Sequence, residues 1–123
     1  VIINSRSKTT AKQLLISWYK DHAERTLLKH YRKNLGLFNQ YNNSKPEMKI
    51  QRMKRRWGSY TSSGNIILNP ELIKAPVKCI DYVIIHELCH TIEPLHNKSF
   101  YNILQSLMPD WKRWKDRLET INV

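Results

Sequence analysis

The sequence predicts a single α+β domain over residues 1–123. Its expected parts are a long N-terminal helix, a β-hairpin forming a small antiparallel sheet, a central buried helix and two C-terminal helices. Three observations predict it. Apolar residues recur at helical spacing in three separate stretches. Between the first two lies a strand–turn–strand pattern centred on SSGN, residues 62–65. Pro94 and Pro109 divide the C-terminal third into separate helices.

The first helix is expected from about Ala11, capped by Thr9 or Thr10, to a stop at Gly36. Leu14, Leu15, Trp18, Leu27, Leu28, Tyr31 and Leu35 are its apolar positions, and its outer face is strongly basic. His22 and His30 lie on it without a third donor nearby, so both read as surface or boundary residues. QYNNSKPE, residues 40–47, is a loop by composition. MKIQRMKRRWGSY (48–60) then forms the first, unusually charged strand, and IILN (66–69) its partner.

The second long helix starts at Pro76, whose fixed φ suits a first turn. Val77, Ile80, Val83, Ile84, Leu88 and Ile92 make a wide apolar face, so this is the helix to bury. It should stop near Glu93, because Pro94 restrains the residue before it. Asn97 caps a third helix, SFYNILQSLM, and DWKRWKDRLETI forms the last, with Trp111, Trp114 and Leu118 on one side.

Composition narrows the function. A hydrophobic fraction of 41% with four Trp excludes a disordered chain. No apolar run approaches the roughly 20 residues that span a bilayer, so no membrane contact is expected. VIINSRSKTT does not read as a signal peptide. Cys79 and Cys89, ten residues apart on one helix, would stand roughly 15 Å apart, too far to pair. Two free thiols fit a reducing, cytoplasmic setting. The net charge is +11, and residues 1–60 carry all of it, with 14 Lys/Arg against 3 Asp/Glu. That half is either a solvated basic surface or a face for nucleic acid or another polyanion.

The chemistry concentrates in VIIHELCHTIEPLH, residues 83–96. His86 and His90 are four apart, so a helix puts both imidazoles on one face. Glu87 points about 100° away round the axis. It is placed to hold a water on an ion rather than to ligate that ion beside both histidines. This is the mechanical content of H-E-x-x-H: two zinc ligands and a general base. A catalytic zinc takes three protein ligands and keeps a fourth position open. His96, six residues after His90 and beyond the Pro94 break, is the third. Glu93 is a rival ligand or a supporting group, and Asp81 caps the helix or orients a histidine. The expected reaction is hydrolysis by one Zn²⁺ ion, with a peptide or protein as substrate. Nucleotide or phosphate-ester hydrolysis is the alternative, and a DNA-associated module with protease activity is a third reading.

The stretch MKRRWGSYTSSGNIILNPELIKAPVKCIDYVIIHELCHTIEPLHNKSFYNILQSLMPDWKRWKDRL resembles the YgjP-like metallopeptidase domain, a relative of the SprT-like zinc proteases. RWGS, the IDYVIIHELCH helix and the HNKSF continuation carry the resemblance. It implies a zincin-like fold, zinc on His86, His90 and His96, and Glu87 as base. It also implies that Arg56, Trp57, Gly58 and Ser59 lie beside the active-site helix, where substrate adds as an extra strand. Members commonly have Cys where this chain has Tyr60. They also carry an N-terminal β-rich half of which little is present here, so the chain is expected to be the catalytic C-terminal part of a longer architecture.

Overall fold

The computed structural model describes residues 7–41 and 45–121. Residues 1–6 of the N-terminal stretch and 42–44 of the QYNNSKPE loop, for which a reading was made above, lie outside the described residues. The elements are α1 (Ser7–Phe38), β1 (Met48–Ile50), β2 (Gly58–Tyr60), β3 (Ile66–Leu68), a 3-10 turn (Pro70–Lys74), α2 (Val77–Cys89), α3 (Lys98–Leu107) and α4 (Trp111–Glu119). This is the α+β arrangement expected, with three differences in detail.

The first concerns α1. It starts before Thr9 and Thr10 and runs through Gly36 to Phe38. Ala23, Leu27, Tyr31, Asn34 and Phe38, spaced by three and four, form its buried stripe. The apolar residues of its first half do not join that stripe. Leu14, Leu15, Ile16 and Trp18 are 47–66% exposed. Helical spacing was present, but no described element covers that end of the helix. His22 stacks on Trp18 at the surface, and His30 is largely buried near Asp81.

The second concerns the sheet. The expected long strand over 48–60 is two short ones separated by residues 51–57. β3 lies in the middle, antiparallel to β2 (Gly58↔Leu68, Tyr60↔Ile66) and parallel to β1 (Met48↔Ile66, Ile50↔Leu68). The hairpin is therefore β2–β3, and the sheet is mixed rather than wholly antiparallel. Its turn closes through Thr61 and Asn65, with Gly64 at φ +87°, a conformation that favours glycine. The fully buried Asn69 fixes the 51–57 excursion. Its side-chain amide donates to the carbonyls of Met53 (2.7 Å) and Arg56 (3.1 Å), and its oxygen accepts from the Glu71 amide.

The third concerns α2. Pro76 is its N-cap, and the helix ends at Cys89, four residues before the expected stop. The next amides close shorter bonds, His90 to Glu87, Thr91 to Leu88 and Ile92 to Cys89. Such i→i+3 bonds tighten a helix end and bring the chain off its axis before Pro94 is reached. Ten of the thirteen α2 residues are buried, which makes it the centre of the molecule. Val77 and Ile92, read as part of its apolar face, are instead 51% and 36% exposed at its two ends. α2 packs on α1, α3, α4 and β2. Asp81 pins it to α1 by accepting from Asn34 (2.9 Å) and Lys33 (3.1 Å). Asn97 caps α3 as expected, accepting from the Phe100 amide at 3.0 Å. On α4, Trp111 and Leu118 are buried, while Trp114 is half-buried and donates to Asp110. Both cysteines are buried and unpaired. Among the described residues, no helix is long and apolar enough to cross a membrane.

Candidate active site

His86 lies in the last turn of α2, and His90 caps its end with nearly helical backbone. The i, i+4 relationship therefore survives the early helix stop. The loop after it returns His96 to the same face. Nε2 of His96 stands 3.2 Å from Nε2 of His86 and 3.0 Å from Nε2 of His90. Three imidazole nitrogens have thus converged on one point. The edge of a tetrahedron with zinc–nitrogen bonds near 2.0–2.1 Å is about 3.3 Å, so the spacing fits one such ion.

The tautomer of His90 fits as well. Nδ1 of His90 lies 3.1 Å from the Glu93 carbonyl. Donating its proton there leaves the Nε2 lone pair facing the other two histidines. Burial and the neighbouring histidines push His86 down to about 4, and burial also lowers His90. Both rings are therefore held neutral, the form that binds a metal.

Two groups, Glu93 and Phe100, brace this cluster. Glu93 does not join the histidines, because its carboxylate accepts from the Asn97 side-chain amide at 2.8 Å. Glu93 thereby ties the loop that carries His96 to the cap of α3. Asp81 points to α1 and touches none of the three. Beneath them lies Phe100, fully buried, with ring centroids 5.0, 4.8 and 4.9 Å from those of His86, His90 and His96. Phe100 was not singled out in the sequence. Its signal was its place four residues after His96, on the first turn of a helix capped by Asn97.

Glu87 is 8% exposed, and burial raises its carboxyl to about 7, with Arg56 pulling the other way. Above it runs β2. A Cβ on Gly58 would come within 2.8 Å of Val83 Cγ1 and 3.2 Å of Glu87 Cγ, so only glycine lets the strand approach this closely. Among the described residues β2 is an edge strand, paired to β3 alone. Arg56, Gly58, Ser59 and Tyr60 form one wall of a cleft of about 270 Å³ whose other wall is Glu87 and the three histidines. Trp57 turns instead into an adjoining cavity shared with Tyr82 of α2 and Leu118 of α4. All eight residues singled out for the site thus meet around one end of α2. Arg56 and Tyr60 line the cleft and offer polar hydrogens to it. Tyr101 lies outside the cleft wall, its ring stacked on Trp111.

The family model for the YgjP-like metallopeptidase domain matches residues 1–121. The chain belongs to the YgjP-like metallopeptidase family. Among solved structures it is similar to the metallopeptidase zymogen of Pyrococcus abyssi abylysin, with a TM-score of 0.60 and 25% identity, covering 78% of this chain and 91% of that one. It is also similar in fold to the zymogen of Methanocaldococcus jannaschii jannalysin, with a TM-score of 0.66 and 19% identity, covering 76% and 94%. No curated protein matches it. The YgjP-like chain is therefore a peptidase-type hydrolase of zincin-like fold, with a histidine triad suited to a metal, zinc by its all-nitrogen donor set.

Proposed function

We propose that this YgjP-like domain hydrolyses peptide bonds with one zinc ion held by His86, His90 and His96, and that Glu87 is the general base. The observation that carries the reading is the convergence of three Nε2 atoms at 3.0 and 3.2 Å with a buried carboxylate beside them. When bound, zinc supplies a Lewis acid for the scissile carbonyl and acidifies a water molecule. Glu87 accepts the proton of the attacking water and hands it to the leaving amine. Burial raises its carboxyl to about 7, which makes it a stronger base toward the water and still lets it pass the proton on near neutral pH.

The edge of β2 orients the substrate. Its free backbone groups accept a peptide as a further strand, so that the chain lies along the cleft with one carbonyl at the histidines. Arg56, the Lys/Arg side chain of the cleft wall, faces developing negative charge on that carbonyl. Tyr60 is the neutral donor beside it.

Phosphate-ester hydrolysis is disfavoured by the donor set, which offers nitrogen with a single carboxylate nearby rather than the oxygen-rich ligands of phosphate chemistry. The nucleic-acid reading rests on charge alone, and the basic outer face of α1 is not part of the cleft.

The test is Glu87→Gln assayed on a casein-type substrate and on nucleoside triphosphates. The variant should keep its zinc and lose casein hydrolysis by about 10²–10⁴-fold, with no triphosphate turnover in either protein. Unchanged casein turnover would remove Glu87 as the base.

A further inference from the structure

The cleft over the histidines has a neighbour. A second cavity, of about 230 Å³, meets it at Arg56, Gly58, His86 and Glu87 and runs on between β2 and α4. Its inner wall is apolar: Tyr82, Val83 and Leu118 are 7%, 4% and 5% exposed, and Trp57 closes one side. Lys115 and Glu119 stand at its exposed rim, paired to each other at 2.8 Å. Sites for drug-sized ligands run from about 300 to 1,000 Å³. This cavity is smaller and suits a single large side chain.

Resting on the peptidase reading, we propose that this cavity receives one large, uncharged apolar side chain of the substrate next to the bond that is cleaved, and that Leu118 sets its size limit. A peptide paired to β2 points alternate side chains to the same side. One of them, beside the carbonyl at the histidines, therefore faces α2 and α4, where the cavity opens. Leucine, methionine and phenylalanine gain by leaving water for the Tyr82–Val83–Leu118 wall. A charged side chain loses its hydration there and finds the rim charges Lys115 and Glu119 already paired to each other.

The experiment uses the zinc-loaded wild-type chain and a set of peptidyl hydroxamates that differ only in the side chain adjoining the metal-binding group. The leucyl compound should bind about tenfold or more tightly than the alanyl one, and the glutamyl and lysyl compounds more weakly than the leucyl. Leu118→Trp should bring the leucyl:alanyl ratio close to one while acetohydroxamate binds as before. Leu118→Ala, a second variant in case the first fails to fold, should shift preference toward a naphthyl side chain. Equal affinities across the set, or a ratio unmoved in both variants, would overturn the proposal. A mixed peptide library separates it from the peptidase reading. Cleavage without a preference for a large apolar residue beside the cut overturns the pocket assignment alone. Selective hydroxamate binding with no cleavage supports the pocket and overturns the peptidase reading.

Discussion

Gly58 and Glu87 are in contact across the interface of strand β2 and helix α2, so closely that a methyl group on Gly58 would stand 3.2 Å from the Glu87 Cγ. The strand proposed to take the substrate and the helix that carries the proposed base are thereby one unit. Gly58→Ala also meets Val83 Cγ1 at 2.8 Å. Overpacking of this kind costs about 1–3 kcal/mol, and relief comes by lifting β2 or by displacing Val83 and Glu87 together. Casein hydrolysis should fall at least tenfold while the zinc content stays near wild type. Wild-type turnover in Gly58→Ala would show that β2 does not control the position of Glu87.

Asn97 caps α3 and holds the Glu93 carboxylate, and the Glu93 carbonyl accepts from His90. Loss of such supporting bonds costs about 10–100-fold in metal affinity. Asn97→Ala should raise the zinc dissociation constant by that factor in a competition with a chromophoric chelator. Asn97→Asp keeps the cap but sets its charge against Glu93, so it should restore stability more than metal affinity. Equal zinc affinity in all three proteins would detach the clasp from the site.

Asp81 accepts two hydrogen bonds from α1 while itself only 5% exposed. Asp81→Ala leaves the buried Asn34 amide without this acceptor and should cost about 2–3 kcal/mol in denaturant unfolding. Lys33 is half exposed, and Lys33→Ala should cost under about 1 kcal/mol. Equal losses in the two variants would mean that the ion pair, rather than the buried amide bond, joins the helices.

Asn69 satisfies the carbonyls of Met53 and Arg56 from a fully buried position. Asn69→Leu, which is close in volume, orphans both carbonyls and should destabilise the domain by about 2–3 kcal/mol. It should also release the 51–57 excursion, seen as faster amide exchange at Trp57 and Gly58. Wild-type exchange there would locate the control of that segment elsewhere.

The clustering of the three histidines was legible in the sequence because its geometry is local. Helical spacing alone aligns His86 with His90, and Pro94 announces the break that lets His96 return. Asn97 was legible for the same reason. What the sequence hid depends on distant partners. A single charged strand over residues 48–60 was a fair reading of local pattern, but Asn69 and the parallel pairing of β1 with β3 divide it. Leu14, Leu15 and Trp18 carry a helical period with nothing described to cover them. Leu118 reads as core, which it is, and its place in the cavity wall arises only from where α4 docks against α2. Phe100 had a local signal in its place on the first turn of the Asn97-capped helix, but its position under all three histidines comes from the packing of α3.

The central claim is that His86, His90 and His96 hold one zinc ion, and elemental analysis of chelator-stripped, zinc-reconstituted and desalted protein tests it most directly. The account predicts one zinc per wild-type chain, one in Glu87→Gln, and marked loss in His96→Ala. A wild-type chain that retains no zinc, or a His96→Ala chain that retains a full equivalent, would contradict it.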